Sequence, residues 1–435
     1  MKKSILYLLF LSTAFFSCEN KDDTVFEETA DVRINAALAS YEKQLVEAPY
    51  GWNAVVYPAL GGSYGFYFKF DDKNRVVMYS DFSNEAAATS KESSYRLKAM
   101  QTPTLIFDTY SYLHVLADPD RDVNGGVTGV GLGADFEFSI FPDSVKTDVI
   151  SLVGRKNQSR LVLTKATQEQ SAAYLKGDLA KGLLFNNIEK YQTYFKRVTL
   201  GGVAYEITAN PIARTMKLTW LDGNAPKTFT TNYYYTSSGI AFVSPLTNGA
   251  QTISGFSNIT WNAATLQLGV SAGGSTAIVQ SAAKPLSVDA GAAKRWWQSP
   301  IESGGEWRSD SAFHVNGADD AYNVSSLKVD QGFYVFYVYQ PGINPKYDLF
   351  GPAFVVGNAL TLEYADAPAT PTFAADGRII FTKYGTFGEF PKTGPAVSTS
   401  NLLFDTSGYY MVQTSATTYD MISAKDAKSW ISWYR

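Results

Sequence analysis

The chain has 435 residues, more than one hydrophobic core usually organises, so two or three modules are expected. A formal net charge of −4 leaves no basic footprint for nucleic acid, and one cysteine with two histidines excludes a disulfide scaffold and the usual histidine-rich zinc centres. Many aromatics (28 Tyr, 27 Phe, 8 Trp) among 34 Gly read as a β-rich extracellular composition.

The amino end reads as an export signal over residues 1–17. Lys2 and Lys3 supply the positive start, and Ile5 to Phe16 is an apolar run too short to span a bilayer, which takes roughly 20 residues. Phe15-Phe16-Ser17-Cys18 resembles a bacterial lipobox, with Phe15 where leucine is commoner. That resemblance implies lipid attachment at Cys18 and a membrane partner through the acyl chains; an ordinary signal peptide with a free thiol is the bland alternative. Residues 18–27 form an acidic tether. Within it Glu19-Asn20-Lys21-Asp22-Asp23 resembles the surface-export tag of Bacteroidetes lipoproteins, which implies an outer-membrane protein facing the cell exterior, against a plain solvated linker.

From Glu28 to Ala48 the spacing predicts a helix, with Ile34, Leu38, Tyr41 and Leu45 on one stripe, stopped by Pro49 and Gly51. The period then changes to two. Short candidate strands run from Trp52–Tyr57 to Arg160–Thr164, among them Tyr112–Leu116, and Phe66, Phe68 and Phe70 share one face. Such spacing predicts an antiparallel meander that closes into a barrel or sandwich, packed or plugged by the leading helix. Helical pattern returns over Gln168–Leu175 and Gly182–Lys196. Strands resume from Gly202–Thr208 to Thr265–Val270. A boundary near 285–310 precedes a last β-rich segment, and Ser423 with Asp426 reads as the cap of a closing helix. The expected organisation is mainly β: a helix plus meander at 28–166, a helical linker and second β-module at 167–290, and a C-terminal β-module at 291–435.

Few residue sets carry chemistry. Gly61-Gly62-Ser63-Tyr64-Gly65 satisfies G-x-S-x-G, but the strand after Ser63 places it in a hairpin loop, not a nucleophile elbow. His114 and His314 are far apart and form no ligand pair. Asp118, Asp120, Asp122 and Asn124 alternate as oxygen donors for a calcium ion would, although Val123 stands where an EF-hand has glycine; a solvated turn explains the same residues. Trp296, Trp297 and Trp307 could form a platform for a carbohydrate ring, as could Tyr233-Tyr234-Tyr235; core packing is the competing reading. No catalytic constellation emerges, and no organic cofactor is implied.

Arg33-Ile34-Asn35-Ala36-Ala37-Leu38, Ala48-Pro49-Tyr50-Gly51-Trp52, Gly65 to Phe70 and Leu105 to Tyr110 resemble the DUF4302 family of Bacteroidetes lipoproteins. The likeness covers the lipobox and roughly residues 25–240, with a looser echo in the last forty. The family carries no known activity and supplies no catalytic residues. The resemblance implies an outer-membrane lipoprotein associated with SusC/SusD-like transporter proteins, binding a nutrient such as a glycan. A scaffold without a small ligand, and a glycan hydrolase, are the alternatives.

Overall fold

The computed structural model describes residues 28–435; Cys18 and the acidic tether lie outside the described residues. Helix α1 (Ala30–Val46) starts where the Thr29 hydroxyl accepts from the Val32 amide, with Asp31 in its first turn and Lys43 in its last. Its Leu45 and the following Ala48 reach the interior of the first barrel. There the buried Trp52 indole donates to the Leu45 carbonyl at 3.0 Å, tying helix to strand.

That barrel is a closed meander of eight strands: β1 (Trp52–Tyr57), β2 (Tyr64–Phe70), β3 (Arg75–Ser80), β4 (Lys91–Ala99), β5 (Pro103–Phe107), β6 (Glu137–Val145), β7 (Val149–Gly154) and β8 (Arg160–Lys165). β1 pairs with β8, Trp52 opposite Lys165, which closes the ring and leaves no free edge. Phe66, Phe68 and Phe70 fill the interior with Phe107, Phe138 and Leu163, as the period-two pattern predicts. Tyr67, on the opposite face, stacks on Tyr174 at 4.8 Å outside the barrel.

Helix α2 (Gln168–Leu175), with a Thr167–Gln170 capping box, leads to the second sheet. Its strands are β9 (Phe195–Leu200), β10 (Val203–Asn210), β11 (Thr215–Asp222), β12 (Ala225–Thr236), β13 (Gly239–Asn248), β14 (Gln251–Asn262), β15 (Gln267–Ala272), β16 (Ser275–Ile278) and β17 (Gln280–Ala282). β16 pairs with β15 and β17 with β9, so one segment interrupted at Val279 joins both ends of the meander. The expected helix Gly182–Lys196 is instead a 3-10 helix, Leu183–Lys190, followed by extended chain; Phe185 and Ile188 are inserted into the second core.

Helix α3 (Ala292–Ser303) opens the third sheet and carries Trp296 and Trp297, where the sequence predicted only a boundary. The strands are β18 (Trp307–Ser309), β19 (Phe313–Val315), β20 (Lys328–Val329), β21 (Gly332–Asn344), β22 (Tyr347–Val356), β23 (Ala359–Thr361), β24 (Tyr364–Pro368), β25 (Thr372–Phe373), β26 (Arg378–Ile380), β27 (Lys383–Gly388), β28 (Tyr409–Gln413), β29 (Thr418–Ser423) and β30 (Ser429–Tyr434). The ribbon β24–β27 pairs with β22 through β24 and with β28 through β26, so this sheet also returns on itself. The Trp307 indole donates to the Trp296 carbonyl at 2.9 Å, repeating the helix-to-strand tie of Trp52.

Two sequence expectations are corrected in this architecture, and one helix is added to it. Tyr112–Val115 is a short helix rather than a strand, because Ser111 caps it and its backbone amide donates to His114 Nδ1. The closing helix at Ser423 is absent: Ser423 and Asp426 accept from the Lys425 and Lys428 amides in a turn, and the chain ends in strand β30. Helix α4 (Pro395–Leu403) has no counterpart in the sequence reading. The chain is mainly β, as expected, with barrel-like sheets and few helices.

Candidate functional site

A cavity of about 770 Å³ opens between the outer faces of the first and second barrels. β1 and β8 of the first barrel contribute Asn53 and Thr164. Helix α2 contributes Glu169, Gln170 and Tyr174, and β12 and β14 contribute Tyr234, Thr252 and Ser254. Alternation along β12 explains Tyr234: Tyr233 and Tyr235 point into the second core, so the ring between them faces the cleft.

The walls are fixed in three ways. Gly65 of β2 lets the backbones touch, since a Cβ there would stand 2.5 Å from the Tyr235 carbonyl. Asp81, fully buried, pairs with Arg214 at 2.7 Å across the junction. The Tyr67 hydroxyl donates to the Tyr50 carbonyl and lies 2.8 Å from Ser171 Oγ, holding α2 against the first barrel.

Within this frame the hydroxyls of Thr164, Tyr174, Tyr234, Ser237, Thr252 and Ser254 make no hydrogen bond to any described residue. Asn53 Nδ2 donates to Gln170 Oε1 at 2.8 Å, linking the barrel to the helix. Burial pushes the phenols of Tyr174 and Tyr234 above their usual range, so both stay protonated and able to donate. Glu169 is the one ionisable carboxyl of the lining. It is fully exposed, and its own backbone amide and the Thr167 hydroxyl hold it below the usual range. The arrangement suits hydrogen bonding to a polar ligand.

Apart from Tyr234, the residues singled out by sequence are placed elsewhere. Trp296 and Trp307 are 0% and 1% exposed and pack with Tyr339 and Trp433 in the third core, so neither offers a face to a carbohydrate. Trp297 is half-buried and donates to Asp348 Oδ2 at 2.7 Å. Asp118, Asp120, Asp122 and Asn124 do not converge. Asp118 accepts from Tyr110 Oη and the Asp120 amide, Asp120 accepts from the Asp122 amide, and Asn124 turns its amide nitrogen to the Val115 and Asp118 carbonyls. These are turn and cap bonds, and among the described residues no group of three His, Cys, Asp or Glu side chains could hold a metal ion. Ser63 is buried and donates to the Tyr233 carbonyl at 2.8 Å, a seam contact between barrels. Burial holds His114 below the usual imidazole range; its Nε2 lies 3.1 Å from the Phe107 carbonyl. His314 stacks on Trp430 at 3.7 Å with Nδ1 against Asp319.

Fold and cleft define a class: a β-protein of one closed meander barrel followed by two further large sheets, with a polar groove at the first junction. Residues 22–263 match the model of the domain of unknown function DUF4302, and the chain belongs to that family. The match takes in the first barrel and the second sheet through β14, hence most of the cleft lining apart from Ser271, Ala272 and Gly273, and stops before the third sheet. No curated protein matches. Among solved structures, a protein of unknown function from the DUF3598 family of Nostoc punctiforme is similar at 8% identity, over 73% of this chain and 94% of that one, with a TM-score of 0.15. The DnaN sliding clamp of Bartonella birtlesii is similar at 10% identity, over 91% and 97%, with a TM-score of 0.16. Superpositions this loose carry no argument about fold or function.

Proposed function

We propose that the chain is an outer-membrane lipoprotein of the Bacteroidetes type, held through Cys18 with its β body facing the cell exterior. It captures a nutrient, a glycan or other polymer, for a SusC/SusD-like uptake system. The observation that carries the binding role is the inter-barrel cleft with its unpartnered hydroxyls. The lipobox-like end at Cys18 and the acidic tether after it support the location. Among the described residues no helix is long and apolar enough to cross a membrane, so the proposed attachment rests on the acyl chains. The role is non-catalytic: glycoside hydrolysis generally uses two carboxyl groups, and the cleft lining holds one, Glu169.

A second reading, a scaffold that contacts other surface proteins, draws on the exposed Phe333, Ile343, Tyr384 and Phe387 of the third sheet. Capture from intact cells with a photo-crosslinking residue at position 254 separates the two. Adducts of a small molecule or polymer at that position support the nutrient role; a clean position 254 with protein adducts at position 384 supports the scaffold. Cys18→Ala is expected to appear unacylated in the soluble fraction, and its retention with membranes would remove the anchor.

A further inference from the structure

We infer, taking the cleft as the ligand seat, that its ligand is an uncharged, hydroxyl-rich chain: a neutral oligosaccharide. Six hydroxyls, from Thr164, Tyr174, Tyr234, Ser237, Thr252 and Ser254, line the cleft with no partner among the described residues. Each can donate and accept. Sugar hydroxyls have the same double capacity, so such a surface pairs with them in either sense without requiring charge.

Charged ligands fit badly. The lining contains no lysine or arginine, so a phosphate, sulfate or uronate would lose water without a counter-charge. It contains one carboxylate, Glu169, which is fully exposed and offers a cation only a screened contact.

An extended peptide fits no better. Peptides commonly add to a free strand edge, but the strands walling the cleft are paired on both sides. β1 lies between β2 and β8, β13 between β12 and β14, and β14 between β13 and β15. Only side chains remain for recognition. The half-buried Tyr234 ring supplies an apolar face for a sugar ring. A volume of about 770 Å³ lies in the range of ligand sites, roughly 300–1,000 Å³.

The test is titration of short neutral, acidic and basic oligosaccharides into the full soluble chain and into two variants. Ser254→Arg places a charged stem on an exposed position of the β14 wall, and Tyr174→Phe removes one free hydroxyl while keeping the ring packed. Neutral oligosaccharides are expected to bind, with affinity nearly constant over about a tenfold rise in salt. Tyr174→Phe is expected to weaken them about tenfold, the value of one hydrogen bond. Ser254→Arg is expected to abolish binding at an unchanged melting temperature. Acidic or basic oligomers bound preferentially, and lost in Ser254→Arg, would overturn the neutral-sugar assignment while leaving the cleft as the seat. Neutral oligosaccharides bound equally by wild type and Ser254→Arg would overturn the cleft itself. Absence of binding by every oligosaccharide would overturn the ligand class, and crosslinking at position 254 would still report on the seat.

Discussion

Asp81 of the first barrel and Arg214 of the second form an ion pair 2.7 Å long at the junction, with side chains 0% and 6% exposed. The guanidinium also donates to the Ser63 and Asp81 carbonyls and lies over the Tyr64 ring at 3.9 Å. Asp81 Oδ2 accepts from the Gly65 and Tyr235 amides, one from each barrel. A single carboxylate oxygen therefore joins two backbones and one cation. Arg214 sits at φ 53°, a conformation that side-chain-bearing residues avoid, so the surrounding contacts must hold it there. Burying such a pair costs desolvation that roughly offsets its attraction, so its main effect is on the relative placement of the barrels.

Removing one partner is expected to be far worse than removing both charges. Arg214→Met leaves the Asp81 carboxylate buried with amide donors only, which costs about 3–5 kcal/mol. Asp81→Asn combined with Arg214→Met keeps an acceptor for the two amides and is expected to recover much of that loss in urea unfolding. The pH sign follows from burial, which already pushes the Asp81 pKa up while Arg214 pulls it back. Without Arg214 the folded value rises further. The single variant is then most stable below the ordinary carboxylate range and loses stability as pH rises through the folded pKa. A variant whose stability is flat or rising over that range would contradict this account.

Gly65 is required by proximity. An alanine Cβ would stand 2.5 Å from the Tyr235 carbonyl and 3.1 Å from Asp81 Oδ2, and the first of these is backbone that cannot swing aside. Gly65→Ala is expected to cost about 1–3 kcal/mol as an overpacking change. Because it also pushes β2 from β12, ligand binding in the cleft should fall with it. Normal binding in a well-folded Gly65→Ala protein would show that the spacing of the barrels is unimportant.

Much of the first barrel was legible because alternate residues of each strand point into it, so Phe66, Phe68 and Phe70 announce their own direction, while Gly65 and Tyr67 on the other face are buried against neighbouring elements. Closure was less so. That β1 meets β8, or that a segment broken at Val279 links β15 to β9, depends on pairings between residues far apart in the chain. Two misread elements share a cause, that Ser and Asp cap helices and also build turns: Ser111 does the first, and Ser423 with Asp426 does the second. The site was half visible. Tyr233-Tyr234-Tyr235 stands out in the sequence, and alternation singles out Tyr234, but Thr164 and Ser254 are ordinary strand residues until two barrels meet.

The two adjacent tryptophans of α3 separate packing from binding. Trp296 is wholly buried among Trp307, Tyr339 and Trp433, so Trp296→Ala is expected to cost about 3–5 kcal/mol. Trp297→Phe keeps a ring but removes one of three donors to the buried Asp348, the others being Tyr339 Oη and the Gly342 amide. A loss of about 1–2 kcal/mol is expected there. Neither change should alter affinity in the cleft at temperatures where the protein is folded. A Trp297 variant with normal melting and no ligand binding would move the ligand seat to the third sheet.

Lys196 provides a pH test at the second junction, beside Phe195, which packs on Ile422 and Ala427 of the third sheet. Burial lowers its pKa to about 8, although Glu206 and Glu189 oppose the shift, and among the described residues Nζ hydrogen-bonds only to the Thr193 carbonyl, at 3.4 Å. The unfolded chain holds this proton up to the ordinary lysine range, near 10.4, and the folded chain releases it earlier. Between those values the unfolded state binds more protons, so this residue makes stability rise with pH, by roughly 3 kcal/mol at most. Below the folded pKa the ammonium is charged in both states, and the full burial cost is present. Lys196→Met removes the titration. At neutral pH the variant is expected to be at least as stable as wild type, and its advantage should shrink as pH rises through the window. Taking the difference between the two proteins cancels the tyrosines that titrate nearby. Urea midpoints that stay parallel from neutral pH to the upper end of the window would mean that the ammonium is solvated in the folded protein.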